Sequence, residues 1–156
     1  MNTIKDKTEE LCKRNDLVGN FWMCDRDTTH FNEFLEEMGI EQCVREGCVE
    51  KMKWRFRDDV LEFAYDERYH GTLSKFQREF QNNKIDNDLY TVPGIGPGNK
   101  KKLERHDIKT TSQLVGQFWI VDRDTTKFIE FLEDMDIRRL YARECAEAME
   151  RKFRDV

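Results

Sequence analysis

Two stretches of this chain carry the same alternation of apolar and polar positions. After Asp27-Thr28, Phe31, Phe34, Leu35 and Met38 fall at i, i+3, i+4 and i+7, which predicts a helix with one apolar face and an Asp-Thr cap at its start. Phe128, Phe131, Leu132 and Met135 repeat that face after Asp124-Thr125. A second helix is predicted on Val44, Cys48, Met52 and Phe56, echoed by Tyr141, Cys145, Met149 and Phe153. The aligned cysteines lie on these stripes and read as small core residues, and the aromatic positions likewise read as core.

The echo is a repeat. Residues 17–58 and 114–155 align without a gap at an offset of 97, with 23 of 42 pairs identical. Leu17-Val18-Gly19-Asn20-Phe21-Trp22 returns as Leu114-Val115-Gly116-Gln117-Phe118-Trp119, and Asp25-Arg26-Asp27-Thr28-Thr29 returns as Asp122-Arg123-Asp124-Thr125-Thr126. The expected architecture is an all-α, compact helical bundle built on a partial tandem duplication. Residues 1–60 form a truncated repeat, 61–72 a helical connector and 73–156 a complete domain. The connector (Leu61, Ala64, Tyr65, Arg68, Tyr69) is expected to run on from the helix of the forties and to stop at Gly71. Thr72 or Ser74 then caps a short helix through Phe80, followed by a polar loop Gln81-Asn82-Asn83-Lys84.

What differs between the copies points to chemistry. Before Leu114 stands Val92-Pro93-Gly94-Ile95-Gly96-Pro97-Gly98-Asn99-Lys100-Lys101-Lys102-Leu103; before Leu17 there are only sixteen residues, with neither glycine nor proline. Alternate glycines let the backbone turn tightly and approach another molecule, since no Cβ intervenes. Pro97 suits the first position of a helix. That helix would aim free N–H groups and its positive dipole end outward, a ready anion site. Lys100, Lys101 and Lys102 sit where they oppose the dipole, so a polyanion explains them better than stability does. Ile95 is the expected apolar plug between the arms, and Asp86–Val92 the first arm. This is the pattern of a helix-hairpin-helix, which grips a DNA backbone. Taken alone, the stretch also reads as a glycine-rich turn with solvated lysines.

Charge follows the same split. The chain has 156 residues, 38% of them charged, with a net charge of −5, so any nucleic-acid site is a local patch and not a basic coat. Residues 1–60 hold 10 basic and 14 acidic side chains, net −4, whereas residues 91–156 hold 13 and 12, net +1. Where the second copy has Arg138 and Arg139, the first has Glu41 and Gln42.

Other chemistries find little support. Cys12, Cys24, Cys43, Cys48 and Cys145 are odd in number and form no CxxC pair, which suits reduced thiols in a cytosolic or nuclear setting. Cys43, Cys48 and His30 match no zinc spacing, so no metal and no cofactor is expected. His30, His70 and His106 are scattered over unrelated segments; the acidic turn residues read as caps and His106 as a favourable charge at a helix C-terminus, so no enzyme is expected. No apolar run reaches membrane-spanning length, and Met1–Arg14 has no signal-peptide core.

From Ser74 to Val156 the chain resembles the barrier-to-autointegration-factor family. The matching residues are Gly94-Ile95-Gly96, Lys101-Lys102-Leu103-Glu104, Leu114-Val115-Gly116-Gln117-Phe118, and then Asp124, Phe128 and Leu132. Lys75–Phe80 resembles the family's first helix more weakly, and residues 17–58 resemble its C-terminal half only. The resemblance implies sequence-independent binding and bridging of double-stranded DNA, homodimerisation, chromatin organisation, and association with LEM-motif proteins of the nuclear envelope. It implies phosphate contacts at Gly94, Ile95, Gly96 and Lys102, with Arg138 and Arg139 at the neighbouring phosphates and a weaker match at Lys75; Gly98, Asn99, Lys100 and Lys101 are added as candidate contacts on the hairpin pattern itself. It implies pairing through Gly116, Phe118 and Trp119, to which Gly19, Phe21 and Trp22 are the counterparts. Two departures modify this. Pro97-Gly98-Asn99 replaces more helical residues, which would delay the second arm. The extra half-copy duplicates the pairing helix within one chain, which predicts an internal pseudo-dimer in place of a homodimer. The LEM surface needs both subunits and is not carried over. A chain that pairs with a complete homologue and limits its bridging is the alternative. The implied setting is the nucleus or cytoplasm of a eukaryotic cell, or a DNA virus infecting one.

Overall fold

The computed structural model describes residues 3–62 and 74–156, and every regular element among them is helical. In chain order these are α1 (Ile4–Cys12), α2 (Asn15–Met23), α3 (Thr28–Glu37), α4 (Gln42–Arg55), α5 (Asp58–Glu62), α6 (Lys75–Asn82), a 3₁₀ turn (Leu89–Thr91), α7 (Pro97–Arg105), α8 (Thr111–Ile120), α9 (Thr125–Asp134) and α10 (Arg139–Phe153).

The link between the halves of the chain is α2 lying along α8. At their crossing Gly19 and Gly116 meet back to back. A Cβ on Gly19 would stand 2.6 Å from the Gly116 carbonyl oxygen and 2.5 Å from Ile120 Cγ1; one on Gly116 would stand 2.6 Å from the Gly19 oxygen and 2.6 Å from Met23 Cγ. Only glycine admits this approach. The two ends of the seam are tied reciprocally: Asn15 Nδ2 donates to Asp122 Oδ1 (3.3 Å), and Thr110 Oγ1 donates to Asp25 Oδ1 (2.9 Å).

Below the crossing, four buried rings close a cycle across the halves. Trp22 meets Phe56 and Phe153, each at 5.5 Å between centroids, and Trp119 meets Phe56 at 5.3 Å and Phe153 at 6.0 Å, all edge-to-face. Each such pair contributes about 0.5–1.5 kcal/mol beyond the area it buries. The repeated Asp-Arg-Asp-Thr-Thr turns frame this cluster. Asp25 and Arg26, like Asp122 and Arg123, adopt positive φ (55° and 58°, 60° and 57°). That strained conformation lays Arg26 over Trp22 (4.8 Å) and lets it donate to the Phe56 carbonyl (3.0 Å). Arg123 does the same over Trp119 (4.5 Å) and to the Phe153 carbonyl (3.4 Å). Asp27 and Asp124 then cap α3 and α9 through their carboxylates. The N–H groups of His30 and Thr29 hold the Asp27 carboxyl below its ordinary pKa.

The copies differ in what covers their last helix. α1, not anticipated from the sequence, opens with a Thr3/Asp6 capping box and packs Thr8 into the gap left by Gly47 of α4, where a Cβ would lie 3.0 Å from Thr8 Cγ2. Arg55, at the far end of α4, donates to the Cys12 carbonyl that closes α1 (3.3 Å). In the second copy Lys152 holds the position of Arg55, is fully buried, and donates to the carbonyls of Phe80 (2.8 Å), Gln81 (3.3 Å) and Asn83 (2.7 Å) that close α6. One nine-residue helix thus stands on α4 where α6 and the hairpin stand on α10. Its cover is less complete: Met38 is 42% exposed and Ile40 half-buried, against 5% for Met135 and 2% for Ile137.

Several local expectations change. The helix of the forties does not run on: Phe56 leaves helical geometry to enter the aromatic cluster, and α5 starts afresh at Asp58. The rest of the connector, with Gly71 and Thr72, lies outside the described residues. Ser74 is the cap of α6, in a capping box with Gln77, and α6 extends through Gln81 and Asn82 because Lys152 gathers its last carbonyls. The first hairpin arm is a single 3₁₀ turn. Tyr141 is 41% exposed and so is not a core residue like its fellows on the α10 stripe.

Replacing Gly19 or Gly116 with Ala should lower stability by about 2–3 kcal/mol in urea unfolding, through overpacking against backbone. The sign is informative, because Ala alone favours a helix by about 1 kcal/mol over Gly. A neutral or stabilising result at both sites would refute the close crossing.

Candidate nucleic-acid interface

The hairpin is anchored to α8, the helix that makes the glycine crossing. Asn87 in the first arm accepts from both the backbone N–H (3.2 Å) and the hydroxyl (2.7 Å) of Ser112. The Thr111 N–H donates to the Asn87 carbonyl (3.2 Å), and its hydroxyl to that of Asp88 (3.1 Å). Thr111 and Ser112 are buried, so these bonds form away from competing water. Nothing in the spacing of Asn87 and Ser112 announced this strap.

The three glycines of the turn have different tasks. Gly94 has φ +86°, and a Cβ there would stand 2.4 Å from the Tyr141 carbonyl oxygen, so it both turns the chain and seats the hairpin on α10. Gly96 and Gly98 have nothing of the chain within 4 Å of a Cβ position. Packing does not require glycine at these two positions; what they leave free is the space outside. Ile95 is buried and lines the crevice beside them. α7 begins at Pro97, so the arm does not start late: the ring's fixed φ fits the first helical turn whatever follows it. The N–H groups of Gly98 and Asn99 therefore have no carbonyl a turn earlier within the helix and face outward with the positive dipole end. Asn99 braces the turn by donating Nδ2 to the Gly94 carbonyl (2.9 Å).

The basic residues gather around this end without being equally free. Lys101 is exposed, and Arg138 is exposed at the N-cap of α10; neither makes an ion pair with a described residue. Lys100 Nζ lies 4.2 Å above the Tyr90 ring and 3.8 Å from Asp88 Oδ1. Lys102 Nζ donates to the Asp136 carbonyl (2.6 Å), which draws α7 against the loop leading to Arg138. Arg139 pairs with Glu133 (3.4 Å) and Lys75 with Glu79 (3.9 Å). Phe76, one residue after Lys75, shares a crevice with Gly94–Asn99, Tyr141 and Glu144, so the start of α6, the hairpin and α10 meet on one face. Tyr90, Phe76 and Tyr141 join this face as positions that apolar periodicity assigned to core or left aside.

The residues expected at the pairing seam separate. Gly19 and Gly116 form the crossing, and Trp22 and Trp119 the shared ring cycle. Phe21 and Phe118 turn into their own copies, against Phe31 (5.2 Å) and Phe128 (5.3 Å). Among the described residues no three His, Cys, Asp or Glu side chains converge as a metal site, and no helix is long and apolar enough to cross a membrane.

No curated protein matches this chain, and no solved structure does. The family described as barrier to autointegration factor matches residues 71–155, which takes in α6, the hairpin, and α8 through α10. That match covers more than half of the 156 residues and is a match to a family of DNA-binding proteins that are not enzymes. The chain belongs to the barrier-to-autointegration-factor family.

Proposed function

We propose that the chain binds double-stranded DNA without sequence preference, through one phosphate-gripping hairpin per molecule, and that residues 1–60 act as an internal partner to residues 73–156. The observation that carries the first part is the open space over Gly96 and Gly98 at the N-terminus of α7, beside the exposed Lys101. A sugar-phosphate backbone fits there, since backbone N–H groups, a helix dipole and point charges recognise phosphate and carry no base information. The second part rests on the Gly19–Gly116 crossing. A homologue pairing through either glycine face would have to displace the other half of the same chain, which argues against the reading as a pairing module for a second protein. A molecule with one hairpin binds DNA without bridging it, in the nucleus or cytoplasm, and modulates chromatin organisation by occupying DNA singly.

With ~4–6 phosphates neutralised, affinity for a random 20-base-pair duplex should fall about 10²–10³-fold between 50 and 200 mM salt. Fluorescence anisotropy should show that Gly96→Ala keeps its fold and weakens binding, that Gly96→Glu abolishes it, and that Gly94→Ala loses the hairpin itself. Wild-type binding unchanged in Gly96→Glu would remove the hairpin from the site.

Light scattering coupled to gel filtration should give a monomer near 18.8 kDa, and with duplex in excess one chain per duplex with no complex holding two duplexes. A dimer that Gly116→Leu dissociates would overturn the internal partner.

A further inference from the structure

The truncated copy carries a thiol pair that the DNA site does not use. Cys12, the last residue of α1, and Cys48, in the middle of α4, lie with their Sγ atoms 3.6 Å apart. A disulfide needs about 2.05 Å between sulfurs, so the two sulfurs have to close by on the order of 1.5 Å. Cys12 is partly exposed, and Cys48 is buried behind it. With both protonated, Cys12 donates to Cys48; once Cys12 ionises the bond reverses, and the Cys48 S–H donates to the thiolate. That hydrogen bond holds the Cys12 thiol below its ordinary pKa, with help from Lys51 and Arg55. Lys51 is itself paired with Glu9 (3.7 Å), one turn before Cys12. The other cysteines lack this arrangement. Burial, Asp27 and Asp25 push the Cys24 thiol up, and burial does so for Cys145. Cys145 is the counterpart of Cys48, but α6 presents Phe80 and Gln81 where α1 presents Cys12.

We propose that Cys12 is a peroxide-reactive cysteine and Cys48 its resolving partner, so that a hydroperoxide oxidises the pair to a disulfide clamping α1 onto α4. The Cys12 thiolate attacks one oxygen of hydrogen peroxide; the O–O bond breaks, hydroxide leaves, and Cys12 becomes a sulfenic acid. Cys48 sulfur then attacks the Cys12 sulfur, passing its proton to the departing hydroxide as the S–O bond breaks. Two thiols lose two electrons in total, and peroxide is reduced to two waters. The neighbouring sulfur intercepts the sulfenic acid before further oxidation, because it lies within van der Waals contact and needs no opening of the fold.

The test uses the full chain, reduced and then treated with excess hydrogen peroxide. Non-reducing peptide mapping by mass spectrometry should find a Cys12–Cys48 link, two hydrogens lighter than the free peptides, within one chain. The oxidised protein should melt about 8–15 °C higher than the reduced one, as a loop of this length implies. Cys12→Ser should remove both the link and the shift. Cys48→Ala, folded by circular dichroism, should hold Cys12 as a sulfenic acid captured by dimedone; Cys12→Ser serves alone if Cys48→Ala does not fold. Oxidation confined to Cys43, links only between chains, or Cys12 driven to sulfinic acid with Cys48 still reduced would each overturn the proposal.

Discussion

The structure depends on two helix backbones touching at Gly19 and Gly116. Either glycine, given a methyl group, would drive its Cβ to 2.6 Å from the opposing carbonyl oxygen, and the helices would have to part. Parting them opens the ring cycle of Trp22, Phe56, Trp119 and Phe153, which is buried only because both halves close over it. It also shifts α8, and Thr111 and Ser112 at the start of α8 are what strap the first hairpin arm in place. The helix crossing and the hairpin turn are one mechanical unit. A substitution at the crossing should therefore be felt at the hairpin without touching it.

Around this seam the copies keep the same interior and differ in their covering. Arg55 and Lys152 have the same task at equivalent positions, gathering the carbonyls that end a helix, but the helices arrive differently: α1 leads into α2 after two residues, whereas α6 is followed by the hairpin. The shorter cover leaves Met38 exposed where Met135 is sealed. The charge change from Arg138-Arg139 to Glu41-Gln42 falls at the start of the same two helices. The hairpin and the basic helix start thus stand together in the second copy, and α1 and the Glu41-Gln42 start in the first.

The repeat, the last two helices of each copy, the caps at Asp27 and Asp124, and the hairpin with its helix starting at a proline were legible because each is local, whereas α2 and α8 came only from the family resemblance. Apolar spacing, capping chemistry and Gly/Pro punctuation act within a few residues. α1 was not legible, since its sequence is mostly polar and it is held by contacts to α4 some forty residues away. Nor was the division of labour among Gly94, Gly96 and Gly98: three identical residues differ only in what lies opposite, and that is decided by α10. Tyr141 read as core by its period, yet its side chain is 41% exposed while Gly94 packs against its backbone carbonyl.

The carboxylates around the hairpin reconcile a net charge of −5 with the proposed phosphate site. Lys100 faces Asp88 at 3.8 Å and Lys102 faces Asp136 at 4.0 Å, with the lysine side chains under one third exposed and both carboxylates at least half exposed. Pairs that open to solvent contribute at most about 1 kcal/mol each. They hold the ammonium groups near the turn at small cost, and a phosphate oxygen backed by backbone N–H groups can displace or share them. Beyond roughly 8 Å the remaining acidic surface is screened at physiological salt. On the proposed reading, phosphate affinity is therefore decided by the few ångströms over Gly96 and Gly98, beside Lys101, where no described atom lies within 4 Å of a Cβ position and Glu144 lines the same crevice.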